Sequence, residues 1–253
     1  MLRRRRRSAP KAVSAALCVT CLVDTYYPQV GKAVVNVLQG LGVDVSFPEN
    51  QTCCGLPAHH AGFQQEAREV AVQFMDTFEG DGYVVVPSGS CAAMIKRSFT
   101  SLFQDDPELR ERAEQLAART YEFSAFIANV LEPSDLHSSF SGKLTYQDVC
   151  HLLRGLGVTK EPRALVGQVE GAEFVEMKGS DRCCGYGDLF ALRQPLVAEA
   201  IVAEKADAIE ASGADAVVAC DMGCLMYIGQ ALAKRGSRVR PMHLAELLDQ
   251  QAP

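Results

Sequence analysis

Apolar residues along this chain fall into two alternating patterns: short uninterrupted runs, and longer stretches with helical spacing. Residues 12–19 form the first run, a short buried strand with Cys21 just past its end. Val30, Val34, Val37, Leu38 and Leu41 then recur at helical intervals, so a helix is predicted over residues 27–41, ended by Gly40 and Gly42. Val43, Val45 and Phe47 alternate as a strand up to Pro48, and Pro57 is well placed to open a long helix reaching Phe78. Residues 83–86 are apolar throughout and are followed by Pro87-Ser88-Gly89-Ser90, with Cys91 starting the next helix. Two more helical stretches fill residues 107–131, and Ser-rich residues 134–142 read as a linker.

The second half repeats this order. A strand over 144–149 ends at Cys150, a helix covers 163–169, and a strand covers 174–177. A helix ending near Ala211, a strand over 216–219, a helix headed by Cys224, a strand over 238–241 and a helix over 243–248 complete it. Apolar strands alternating with helices imply parallel sheets covered on both faces. The expected fold is therefore α/β: two tandem, pseudo-repeated, Rossmann-like parallel-sheet domains. Their bounds are 12–133 and 143–253, with residues 1–11 a basic disordered tail.

Two Cys-Cys-Gly triplets mark the repeat, Cys53-Cys54-Gly55 and Cys183-Cys184-Gly185. Cys21 and Cys91 flank the first, and Cys150 and Cys224 flank the second. The intervening lengths are 31 and 36 residues in one half against 32 and 39 in the other. Every one of these cysteines falls in a loop after a predicted strand, near a helix start. Unpaired N–H groups and the helix dipole there stabilise anions. Four soft thiols gathered from three loops are what a metal or iron–sulfur site requires. One cluster per half is expected, with zinc, vicinal-disulfide chemistry and inert packing as the competing readings. Zinc is the weaker, since Cys18/Cys21 and Cys220/Cys224 are the only closely spaced pairs apart from the doublets. Cys18 and Cys220 lie outside the repeat and read as extra ligands or as core. His151, beside Cys150, and His59 and His60, after the first triplet, are candidates to hydrogen-bond a cluster sulfur or carry a proton. His243, Asp24 and Asp221 read as helix caps.

Composition narrows the function. The formal charge is −6, and setting aside the five arginines Arg3 to Arg7 takes it to −11, a poor match for nucleic acid. No apolar run of about 18 residues is present, so no transmembrane segment is expected. The basic start followed by an apolar stretch has the outline of an export signal, but Ser14 and Thr20 interrupt it and no small-residue cleavage site follows. Ten cysteines in a chain with a large apolar content fit a reducing compartment better than a disulfide framework. Gly185-x-Gly187 lacks the third glycine of a dinucleotide fingerprint, and neither a phosphate loop nor a nucleophile elbow is present.

The doubled Cys-Cys-Gly pattern resembles the cysteine-rich (CCG) domain family, which includes a component of heterodisulfide reductase and the iron–sulfur subunits of glycolate and anaerobic glycerol-3-phosphate oxidation. The likeness is carried by Val19-Thr20-Cys21, Phe47-Pro48-Glu49, Ser88-Gly89-Ser90-Cys91, Asp181-Arg182-Cys183-Cys184-Gly185-Tyr186-Gly187, Asp221-Met222-Gly223-Cys224-Leu225 and Met242-His243-Leu244-Ala245-Glu246. It is nearest to the family's two-domain chains of lactate utilization. The resemblance implies a cytoplasmic iron–sulfur subunit of a complex oxidising L-lactate to pyruvate, an oxidoreductase, working with a ferredoxin-like iron–sulfur subunit and a third small subunit. It also implies that Cys21, Cys53, Cys54 and Cys91 hold one cluster and Cys150, Cys183, Cys184 and Cys224 the other, of [4Fe-4S] or a less regular type. A heterodisulfide-type thiol redox subunit, or an iron–sulfur subunit for glycolate or another 2-hydroxy acid, is the alternative it leaves open. One departure stands out: fuller family members carry Cys-x-x-Cys where this chain has Ser88 before Cys91 and Asp221 before Cys224.

Overall fold

Each half forms a four-stranded parallel sheet, and the two sheets share one strand order. The structure is a computed structural model that describes residues 13–80 and 82–250; the expected basic tail lies outside these residues. In the first half β1 (Ser14–Leu17), β2 (Asp44–Ser46), β3 (Tyr83–Val86) and β4 (Thr120–Glu122) are ordered β2-β1-β3-β4. In the second, β5 (Ser139–Tyr146), β6 (Glu170–Phe174), β7 (Ala216–Ala219) and β8 (Arg240–His243) are ordered β6-β5-β7-β8. All six pairings are parallel. The cysteine repeat is thus a repeat of topology. Val84 to Val86 and Ala216 to Ala219 are fully buried, as central strands covered on both faces should be.

Helices of the first half are α1 (Cys21–Tyr26), α2 (Pro28–Gly40), α3 (Leu56–Ala61), α4 (Gln64–Thr77), α5 (Gly89–Ala93), α6 (Phe99–Leu102), α7 (Pro107–Arg119) and α8 (Phe123–Phe126). Those of the second are α9 (Lys160–Val166), α10 (Phe190–Arg193), α11 (Pro195–Ala211), α12 (Met222–Lys234) and α13 (Leu244–Leu248). Wide π turns follow α5 and α8 and occupy His151–Gly155.

The structure differs from the predicted elements in four places. The helix expected over 57–78 breaks at Gly62, whose left-handed backbone (φ 87°) ends α3 before α4 begins. Strand β4, an unexpected element, separates the two helical stretches predicted over 107–131, because pairing along β3 outweighs local propensity. Lys96 Nζ donates to the carbonyls of Ala117 (2.6 Å) and Thr120 (2.8 Å), satisfying acceptors where α7 stops. Strand β5 begins at Ser139, inside the stretch expected as linker, and β6 runs over 170–174 instead of 174–177. β6 is an edge strand with no fully buried residue, so it lacks the apolar run that would announce it.

One core cluster joins the halves. Val30, Ala33, Val34, Val37 and Leu38 of α2 pack in the same cluster as Leu244, Ala245, Leu247 and Leu248 of α13. Asn36 Nδ2 donates to Asp249 Oδ2 at 3.0 Å across this seam. His243 is a buried cap, as expected: Nδ1 accepts from Ala245 N (3.1 Å) and Nε2 donates to the Pro87 carbonyl of the first half (3.1 Å). Burial pushes its pKa down to about 4, so the neutral ring holds one tautomer.

Candidate functional site

The first group of thiols is built where the first sheet's strands end. Thr20 takes a positive φ of 67°, costly for a β-branched residue, to turn the chain into α1, whose first residue is Cys21. Gln51 ties the loop carrying the doublet to this turn. Its Nε2 donates to the Leu17 carbonyl (2.8 Å) and its Oε1 accepts from Val19 N (3.0 Å). Cys91 sits in the first turn of α5. Cys21 and Cys53 sulfurs are 4.0 Å apart, Cys54 neighbours Cys53 and Cys91, and all four line one cavity of about 120 Å³. Tyr186, Asp188, Asp221, Met222 and Gly223 complete its wall from the second half.

The second group follows the same plan. Cys150 precedes the π turn, Cys224 is in the first turn of α12, and the thiols neighbour one another in the order Cys150, Cys183, Cys184, Cys224. Here a glutamine and an arginine make the tie, Gln147 Nε2 donating to the Arg182 carbonyl at 3.0 Å. Arg163 forks onto Asp148 (2.7 and 2.8 Å) and Glu176 (2.7 and 2.9 Å), joining the strand end before Cys150 to the loop before Cys183. Lys205, nearly fully buried, donates to the Gly179 carbonyl at 2.6 Å and places a cation near Cys183 and Cys184.

Both groups are polarised alike. A hydrogen bond from Cys21 holds the Cys53 thiol far below its ordinary pKa, helped by Cys54 and the Gly55 N–H. Cys150, Cys184 and the Gly185 N–H do the same for Cys183. Each donor thiol, Cys21 and Cys150, is pushed up in turn. In each half the neighbours favour the anionic form of the doublet's first sulfur.

Gly55 and Gly185 explain their place in the triplets. Both are left-handed (φ 81° and 88°), and their N–H groups point at the first sulfur of each doublet, 3.4 and 3.3 Å away. A Cβ at Gly185 would lie 2.8 Å from the Ala198 carbonyl, whereas at Gly55 the nearest atom, Val70 Cγ1, is 3.4 Å away. Gly55→Ala is expected to cost about 1 kcal/mol from backbone strain alone. Gly185→Ala adds a backbone clash and should cost about 3 kcal/mol. Urea unfolding of the two variants checks the ranking; equal losses would contradict it.

The other candidates separate. Cys18 is buried behind the first group and feels Cys91 and Cys53, while its N–H extends the ladder to Val85. Cys220 instead accepts from Tyr146 Oη at 3.4 Å and lies beside Glu122, in a buried polar cluster. His60 pairs with Asp188 (3.0 Å), its ring lies 5.3 Å from that of His151, and His151 meets Ser90 Oγ at 3.1 Å. Residues from both halves meet in this chain of contacts. His59 bonds Gln64, and Asp24, expected as a cap, instead lies inside α1, whose N-cap is Thr20. Asp221 caps α12, as its place before a predicted helix implies. Sequence reasoning gives no role to Ser88 or Glu122; the signal available for Ser88 is its place in Ser-x-x-Cys, opposite the Asp-x-x-Cys of the other half.

Among the described residues, no three His, Cys, Asp or Glu side chains are arranged to hold a single metal ion. An iron–sulfur cluster instead spreads its ligands over several irons, and four thiols, two helix starts and inward N–H groups suit one. None of the described helices is long and apolar enough to cross a membrane.

The cysteine-rich (CCG) domain family matches residues 15–96 and 144–229 of this chain, one match in each half. Among similar proteins is lactate utilization protein A of Bacillus subtilis (strain 168), 42% identical over 237 residues, covering 94% of this chain and 99% of that protein. The protein of the same name from Geobacillus kaustophilus (strain HTA426) is 44% identical with the same coverage. That from Halalkalibacterium halodurans is 42% identical over 239 residues, covering 94% and 98%.

Proposed function

This chain belongs to the cysteine-rich (CCG) domain family, and from that premise we propose that it is the iron–sulfur electron-transfer subunit of a complex oxidising L-lactate to pyruvate. The observation that carries the reading is the four-thiol group built twice, at matching strand ends of two sheets with one topology. Cys21, Cys53, Cys54 and Cys91 hold one cluster, and Cys150, Cys183, Cys184 and Cys224 the other, both of the [4Fe-4S] class. When bound, such clusters supply one-electron storage whose potential follows charge and hydrogen bonds at the sulfurs. The chain orients the thiols, directs the Gly55 and Gly185 N–H groups at Cys53 and Cys183, and keeps Cys54 and Cys184 from water. Lactate as substrate rests on the names of the relatives. We place the subunit in the cytoplasm with a ferredoxin-like iron–sulfur subunit and a third small subunit.

Anaerobic reconstitution followed by iron and acid-labile sulfide analysis tests the clusters: about eight irons per chain are expected for two [4Fe-4S] groups. Less than one iron, with zinc in its place, rejects the reading. A strain lacking the protein should fail to grow on L-lactate; unimpaired growth rejects lactate. A thiol–disulfide role is the second reading, favoured by the 4.0 Å contact between Cys21 and Cys53. Iron-free protein that cycles a disulfide substrate would establish it.

A further inference from the structure

The two positions where this chain departs from Cys-x-x-Cys are in contact with each other. Ser88 caps α5, its Oγ accepting from Cys91 N at 3.2 Å. Asp221 caps α12, its Oδ1 accepting from Gly223 N (3.0 Å) and Cys224 N (3.4 Å). Across the seam Ser88 Oγ donates to Asp221 Oδ2 at 2.8 Å, and Ser90 N donates to the same oxygen at 3.1 Å. Both side chains are buried, and Gly89 N donates to the Cys220 carbonyl (2.9 Å) to brace the contact. An unbroken hydrogen-bonded path therefore runs from the backbone of Cys91 to the backbone of Cys224. It passes through two side chains from different halves.

Either residue alone would be an ordinary helix cap, serving only its own helix. The geometry goes beyond that. One carboxylate takes four donors, two from each half, so it cannot shift toward one cysteine without loosening the other. Buried charge-assisted bonds of this kind are strong and directional. Asp221 also lines the first cavity while belonging to the second half. We propose that Ser88 and Asp221 form a clasp that positions both cluster sites together, making each a positioning residue for the site in the opposite half. The proposal rests on the cluster reading above.

Asp221→Ser keeps a capping hydroxyl for α12 and is too short to reach Ser88. Ser88→Ala removes the clasp from the other side. Each is placed in two single-site backgrounds: Cys184→Ser, which leaves the first cluster, and Cys54→Ser, which leaves the second. Redox titration followed by visible and electron-paramagnetic-resonance spectra reads the remaining midpoint potential. Asp221→Ser should move the first cluster, and Ser88→Ala the second, by about tenfold in the reduction equilibrium or more, about 59 mV for one electron. Shifts confined to the half that carries the substitution, or no shift, overturn the clasp. If Asp221→Ser does not fold, judged by circular dichroism, Ser88→Ala read at the second cluster decides alone. Parent protein without iron and sulfide defeats the cluster reading; two clusters with no cross-half shift defeat only this one.

Discussion

Cys54→Ser should remove about half of the iron and visible absorbance of the reconstituted protein, and Cys184→Ser the other half, with the double variant holding none. Both thiols are buried, at 4% and 2% exposure, and each neighbours two other thiols of its group. A serine hydroxyl is a hard, weakly acidic donor where a soft thiolate is needed, so the substituted group loses a ligand without changing shape. The halves are separate as ligand sets, which is why the losses should add. Cys220→Ala is the control: its sulfur accepts from Tyr146 and lies outside both groups, so iron content should not change. Metal and sulfide analysis with absorbance spectra checks all four proteins. Complete loss from either single cysteine variant would mean one shared site, and loss from Cys220→Ala would enlarge the second ligand set.

Much of this arrangement is readable in the chain because it is local and repeated. Strands β3 and β7 are unbroken apolar runs, and their limits in the sequence match those in the structure. The eight cysteines lie in the segments that follow β1, β2 and β3 and again β5, β6 and β7, in the order the repeat implies. What escapes is set by partners distant in sequence. Strand β4 has three residues and exists because Val84 to Val86 offer it a ladder. Strand β6 is an exposed edge whose alternation carries no core signal. The bond between Ser88 and Asp221 spans 133 residues, and nothing near either position announces it. Asp221 is legible as a cap from its place before a helix; that its second oxygen serves the other half is not.

The seam that hides those partners also buries a carboxylic acid, and its ionisation gives the second large effect. Glu122, the last residue of β4, is 1% exposed. Its Oε2 accepts from Ser124 N (2.9 Å), Ala125 N (3.3 Å) and Ser124 Oγ, while Oε1 has no hydrogen-bond partner among the described residues. Burial pushes its pKa up to about 7, against the pull of those donors and of the Cys220 thiol. In the unfolded chain the same acid titrates near 4.5. The folded state thus binds the proton more tightly, so this contribution to stability is complete below 4.5 and is lost as the pH rises through 7. The gap amounts to about 3 kcal/mol. Glu122→Gln keeps the shape and an acceptor for the α8 N–H groups but cannot ionise. Subtracting the parent's stability from the variant's isolates this residue from every other titrating group. That difference should rise by about 3 kcal/mol between pH 4.5 and pH 8, measured by urea unfolding at each pH. A difference that stays flat across the window would show that Glu122 is not held neutral by the seam.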